Sequence, residues 1–200
     1  FAKTAAAKQQ KFPAAQFSFN LPGGRCENCK GEGAVMVEML FLPSVYSPCP
    51  ICNGLRYKQE ILDIKYNRKN IAQVLSMTVD EAFDFFSDIS TLSSSLDTIR
   101  QVGLSYLRLG QPATELSGGE AQRLKLSTEL QRVGKRDTLY VLDEPTTGLH
   151  PADVEKLLLQ LNKLVNNGNT VIAVEHDMEV LLQSDWIIDI GPGAGPDGGE

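Results

Sequence analysis

Two hundred residues at 42% hydrophobic content can bury a sizeable core, as one large domain or as one with a small insertion. The formal charge of −6 is uneven: residues 1–70 carry ten Lys or Arg against five Asp or Glu, and residues 71–200 carry nine against twenty. No run of 18 apolar residues occurs, and the opening residues are too polar and lysine-rich for a signal peptide, so neither a spanning helix nor secretion is expected.

The chain opens on Phe1, which suggests a segment of something longer, cytoplasmic and without a membrane partner. A connecting segment over 1–25 has no clear period, but Phe12, Phe17 and Phe19 can pack against a neighbour. A Gly- and Pro-punctuated module over 26–60 follows, with a strand predicted from Ala34 to Leu42. Residues 61–137 read as a helical subdomain. Ile61 to Tyr66 alternates like a half-buried strand, Thr78-Val-Asp-Glu81 is a capping box before a helix carrying Ala82, Phe83 and Phe86, and 91–102 is a second helix. From 115 onward the pattern alternates α and β, which predicts an α/β fold around a parallel sheet. Its expected elements are helix 118–132, strand 138–142, helix 151–166, strand 170–174, helix 178–183 and strand 186–190, before a glycine-rich loop over 191–199.

All four cysteines lie in two C-x-x-C pairs, Cys26–Cys29 and Cys49–Cys52. Two thiolates three positions apart grip one ion, and two such knuckles complete a tetrahedron with Zn–S at about 2.3 Å. Gly31 and Gly54 each stand two residues after a pair, where the turn needs positive φ. Disulfides or free buried thiols are the alternatives, and clustering in a chain with no secretory signal favours metal. Four sulfurs leave no open position, so the zinc is expected to be structural. Arg25, Lys30, Arg56 and Lys58 flank the pairs with Tyr57 beside them. Such a set either contacts a DNA backbone or is plain solvated surface.

Leu116-Ser-Gly-Gly-Glu120, followed by Ala-Gln-Arg123, is a helix start in which Ser117 and Glu120 cap one another. Gly118 and Gly119 leave its backbone bare, which is costly unless an anionic ligand approaches the exposed amides. Leu139-Tyr-Val-Leu-Asp-Glu144 is an apolar strand ending in two carboxylates, at the end of a parallel strand where ligands bind. Asp143 there suits Mg²⁺, and Glu144 suits an attacking water. A second strand delivers Glu175-His176-Asp177, whose histidine can bond a terminal phosphate. His150, before Pro151, suits a structural or interface role.

In the order LSGGEAQR, VLDEPTTGLHP and VEHD the chain resembles the ABC-class ATPases: signature, Walker B, D-loop and switch histidine. The C-x-x-C-x-G pairs around FLPSVY, together with GLSYLRLGQPATELSGGEAQRLKLSTEL and WIIDIGPGAG, are similar to the UvrA family within that class. The resemblance implies a partial nucleotide-binding domain with an inserted zinc module. It implies that Ser117, Gly118, Gly119 and Glu120 touch ATP held by an opposing half, while Asp143, Glu144 and His176 serve their own site. It also implies a protein that recognises damaged double-stranded DNA in nucleotide excision repair, acts as a homodimer and loads a UvrB-type partner. One departure is the absence of G-x-x-x-x-G-K-[ST], so this length of chain alone is expected not to hydrolyse ATP. Another is the short link from Leu130 to Thr138, which leaves room for a UvrA-like paralogue associated with drug tolerance. An ABC module of another class, such as a transporter ATPase, lacks the zinc insertion. The DnaJ-chaperone zinc domain needs four such cysteine pairs and carries no ATP motifs.

Overall fold

The computed structural model describes residues 1–37, 45–131 and 137–191. The chain divides into two compact units, Phe1–Met77 with Arg108–Gly110, and Thr78–Leu107 with Gln111–Glu200.

The first unit is built from short elements: α1 (Ala5–Gln9), a 3₁₀ turn at Ala14–Phe17, β1 (Ala34–Val37), β2 (Val45–Pro48), α2 (Gln59–Leu62) and α3 (Ile71–Leu75). β1 and β2 pair antiparallel, Ala34 opposite Pro48 and Val37 opposite Val45. The strand expected from Ala34 to Leu42 is thus present to Val37, and its remainder lies outside the described residues. The core holds Tyr57, Ile61, Leu62 and Ile71, and the aromatic rings of Phe1, Phe12, Phe17 and Phe19 close over it.

The strand expected over Ile61–Tyr66 is not formed. Ile61, Leu62 and Ile64 are all buried, and a strand would send the first two to opposite faces. One turn of helix, α2, delivers both to a single core instead. The chain then reverses through Asn67 and Arg68, at φ 44° and 67°, so that Tyr66 and Lys69 pair across the bend.

The second unit holds α4 (Val79–Phe85), α5 (Ser90–Gln101), a 3₁₀ turn at Ala113–Glu115 and α6 (Gly118–Leu130). After these come β3 (Leu139–Asp143), α7 (Pro151–Asn166), β4 (Thr170–Val174) and α8 (Met178–Gln183). The capping box of α4 is complete: Thr78 Oγ1 accepts from the Glu81 amide at 3.2 Å, and the Glu81 carboxylate accepts from the Thr78 amide at 2.9 Å. β3 and β4 run parallel, Leu139 beside Thr170 and Asp143 beside Val174. α7 starts with Pro151 at its first turn, and His150 caps it, its Nδ1 accepting from the Ala152 amide at 3.3 Å. Val154, Leu157, Leu158, Leu161 and Leu164 form its buried stripe, and it packs on β4. Among the described residues the sheet is covered on one side only. Leu142 is buried, while Leu139, Val141, Ile172 and Val174 on the alternate side stay exposed.

Residues 186–190, expected as a further strand, form none. Trp186, Ile187, Ile188 and Ile190 are exposed, and among the described residues no strand lies alongside to bond their backbone. Alternation in the sequence fits a strand, but a strand needs a neighbour.

Candidate functional site

The first unit gathers four thiols. Cys26, Cys29, Cys49 and Cys52 are buried and free of disulfides, and all four sulfurs lie within 4.8 Å of one another. Cys26 and Cys49 stand 3.9 Å apart and Cys29 and Cys52 3.7 Å. A tetrahedron with metal–sulfur bonds of about 2.3 Å has edges of about 3.8 Å, whereas a disulfide brings its sulfurs to about 2.05 Å. The donor set therefore fits one tetrahedral ion.

The two knuckles share one backbone design. Gly31 and Gly54 take φ of 89° and 82°, as expected, and the preceding Lys30 and Asn53 are left-handed too, at 50° and 48°. Each turn closes on its own carbonyls: Gly31 and Glu32 amides donate to the Cys26 and Cys29 carbonyls, and Asn53 and Leu55 amides to those of Cys49 and Cys52. The Gly33 amide and the Asn28 side-chain amide donate to Cys29 and Cys49 sulfur at 3.3 and 3.2 Å. Burial opposes thiolate formation at Cys49, but the amides of Cys52 and Ile51 and the Asn28 side chain bring its pKa down to about 6. At Cys52 burial prevails over the Arg56 amide, neighbouring sulfurs add to it, and the thiol rises to about 12. Four thiolates so close together need a cation among them.

The four flanking basic residues differ in their surroundings. Lys30 and Lys58 are exposed. Arg25 donates to the Asn20 carbonyl and lies 3.7 Å from Glu27, and the Arg56 guanidinium sits 5.0 Å above the Phe19 ring. Arg25 and Lys58 come to adjacent stretches, because Cys26 and Lys58 amides donate to the Arg56 and Gly24 carbonyls. Tyr57 cannot stack on a nucleic-acid base. It is 2% exposed, and its hydroxyl donates to the Phe17 carbonyl at 2.9 Å.

The second unit gathers the nucleotide motifs. At the start of α6, Ser117 Oγ accepts from the Glu120 amide at 3.3 Å, and the Glu120 carboxylate accepts from the Ser117 amide at 2.7 Å. The Tyr106 hydroxyl donates to the other Glu120 oxygen at 2.5 Å, which chiefly lowers the Glu120 pKa. A side chain added at Gly118 would meet nothing within 4 Å, so packing does not explain that glycine; at Gly119 it would meet Arg123 and the Thr147 carbonyl at 3.3 Å.

Asp143 ends β3, exposed to solvent, with Gln122 of α6 bracketing its backbone N–H and C=O at 2.7 Å each once the side-chain amide is turned to suit both. Glu144 follows in a left-handed conformation, φ 43°, its amide bonded to the Val174 carbonyl at 2.8 Å. His176, beyond the end of β4, places Nδ1 4.0 Å from the Glu144 carboxylate. The parallel register thus brings Asp143, Glu144 and His176 to one end of the sheet.

Sequence reasoning gave no role to Arg123, Glu175 or Tyr106. Arg123 is 1% exposed and donates through Nη1 to the Pro145 and Thr147 carbonyls at 3.1 Å each. Glu175 accepts from the Thr146 amide and hydroxyl.

Over its whole length the chain is 54% identical to the UvrABC system protein A of Thermus thermophilus and of Aquifex aeolicus. The crystal structure of UvrA2 from Deinococcus radiodurans matches 99% of the chain at 68% identity with a TM-score of 0.90. The chain belongs to the UvrA family. A family profile described as "AAA domain, putative AbiEii toxin, Type IV TA system" also matches residues 78–182, in keeping with an ATPase-type α/β domain. The chain spans about a fifth of the length of these UvrA proteins, 21% and 22% of the two curated relatives and 24% of the UvrA2 chain. No helix among the described residues is long and apolar enough to cross a membrane.

Proposed function

We propose that this chain is the signature and Walker B part of a UvrA-type ATPase that couples ATP hydrolysis to recognition of damaged double-stranded DNA in nucleotide excision repair. The observation that carries the reading is the pairing of Glu144 with His176 at 4.0 Å, at the end of a parallel sheet where ligands bind, in a chain of this family. Glu144 orients and deprotonates the attacking water, and His176 bonds the terminal phosphate. Asp143 would hold Mg²⁺, which supplies charge neutralisation at the phosphates. The bare Gly118 face, with Ser117, Gly119 and Glu120, is offered to ATP held by an opposing half, as a homodimer would supply. Residues 26–60 act as a module held by one structural zinc between 1–25 and the signature subdomain of 61–137, with 138–200 completing the ATPase part. DNA phosphates are met by Lys30 and Lys58, with Arg25 and Arg56, and a UvrB-type protein is the next partner.

The test is Glu144→Gln in the protein at the full length of its relatives. ATP binding is retained and hydrolysis stalls, because the proposed Mg²⁺ ligand stays while the water loses its orienting carboxylate. Turnover at the parental rate overturns the assignment. A UvrA2-type paralogue is the second reading. It is favoured by the 68% identity to the Deinococcus radiodurans protein, against 52–54% for the UvrABC system relatives. Restored ultraviolet survival in a bacterium lacking UvrA supports the repair subunit, and no restoration by a stably expressed protein supports the paralogue. The link from Leu130 to Thr138 lies largely outside the described residues.

A further inference from the structure

We infer that Glu175 is a positioning residue for hydrolysis: its carboxylate, opposed by Arg123, fixes the turn Pro145–Thr147 and so holds Glu144 in place before His176. The inference rests on the proposed role of Glu144 and deepens it.

One carboxylate collects four donors from two sides of the site. Glu175 Oε1 accepts from the Thr146 amide at 2.8 Å and the Thr146 hydroxyl at 2.7 Å. Glu175 Oε2 accepts from the His176 amide at 3.2 Å and the Asp177 amide at 3.5 Å. The segment after β3 and the turn after β4 are thereby tied to the same group. Pro145 and Thr146 are buried, and Arg123 grips the same turn by its Pro145 and Thr147 carbonyls. The turn is held by its carbonyls from α6 and by its amide and hydroxyl from the end of β4.

Glu144 stands immediately before this turn. Its φ of 43° is a conformation that residues with a side chain keep only where their surroundings over-determine it. Its amide bond to Val174 fixes one side, and the turn fixes the other. Thr147 adds a hydroxyl bond to the Glu144 carboxylate at 3.1 Å. Without Glu175 the buried Thr146 amide and hydroxyl lose the acceptor they share. The turn then relaxes, and Glu144 is free to return to a common backbone region, away from His176. A carboxylate suits the place because it only accepts. A glutamine would turn N–H groups toward donors on one of the two sides.

The experiment uses the full-length protein with Glu175→Ala, Glu175→Gln and Thr146→Val, and reads ATP turnover, ATP affinity and amide hydrogen exchange. Glu175→Ala lowers kcat about 100-fold, the scale of a displacement of about 1 Å at a reacting group. Its ATP dissociation constant stays within about threefold of the parent. Thr146→Val added to Glu175→Ala costs no more than Glu175→Ala alone, because the two act through one contact. Amides of Thr146 and His176 lose protection while those of α7 keep it. Glu175→Gln falls between parent and alanine, retaining Thr146 protection and losing that of His176, and it carries the test should Glu175→Ala fail to fold. A kcat within threefold of the parent for Glu175→Ala overturns the inference. So does a parallel loss of ATP affinity and α7 protection, which marks a merely structural role. Glu144→Gln run alongside separates the failures. If it hydrolyses normally, the proposed function falls; if it stalls while Glu175→Ala is normal, only the role of Glu175 falls.

Discussion

Two glycines show how differently the same residue type is used. Gly31 has φ 89°, and a Cβ there would lie 2.0 Å from the Phe19 carbonyl oxygen, so Gly31→Ala should cost about 2–4 kcal/mol. The measurement is hydrogen-exchange protection across 24–58, expected to fall sharply. Gly118 has open space where its Cβ would be, so Gly118→Ala should leave stability unchanged or raise it by up to about 1 kcal/mol. ATP hydrolysis by the full-length protein should nevertheless fall, because the added methyl crowds the face proposed to meet nucleotide. A loss of stability equal to that at Gly31 would mean that this glycine serves the fold. Both glycines were legible in the sequence, since each stands at a fixed offset within a motif. Arg123 and Glu175 were not, because their roles depend on contacts 22 to 29 residues away along the chain.

Among the elements, α6 is fixed by its first turn. Tyr106 donates to Glu120, and this bond is the main cause of the lowered Glu120 pKa, with the Ser117 amide next. A depressed carboxylate contributes stability above its unfolded pKa, and that contribution is lost as pH falls through the lower folded value. Tyr106→Phe should therefore move Glu120 up toward the ordinary 4.5, so that the α6 cap frays at a higher pH. A site-resolved titration of the Glu120 carboxyl checks this, and an unmoved pKa removes Tyr106 from the cap. Capping signals also explain which elements could be read in advance. α4, α6 and α7 each announce their start with Thr78, Ser117 or His150-Pro151, and sequence reading located all three. Ile61–Tyr66 and 186–190 carry only alternation. The first yields to a core that takes two consecutive side chains, and the second has no strand beside it among the described residues.

For the whole molecule, the metal and the charge are the testable features. The purified protein should carry close to one zinc per four-cysteine module by elemental analysis, lost in Cys29→Ser. Chelation should remove hydrogen-exchange protection from residues 24–58 before it touches α7, since the buried thiols are part of the first unit's core. Retained protection without metal would mean that the knuckles hold themselves. On DNA, Lys30→Ala and Lys58→Ala should each reduce the salt slope by about one unit with no preference for base sequence. Arg25→Ala and Arg56→Ala should also loosen the first unit, because these side chains already serve Asn20 and Phe19. If the quadruple alanine protein binds damaged and undamaged duplexes like the parent across a range of salt, none of the four contacts DNA.

The uncovered side of the β3–β4 pair bears on how the chain behaves when handled. Leu139, Val141, Ile172 and Val174 lie exposed on a sheet of two short parallel strands whose outer edges pair with no other strand among the described residues. Such a surface invites edge-to-edge pairing between copies. Expressed by itself at this length, the chain should form concentration-dependent aggregates in light scattering, and Val141→Lys with Ile172→Glu should suppress them without unfolding α7. Poor yield of the isolated 200-residue chain would then be a colloidal property of one bare sheet face, separate from any defect in the thiol site or the nucleotide motifs.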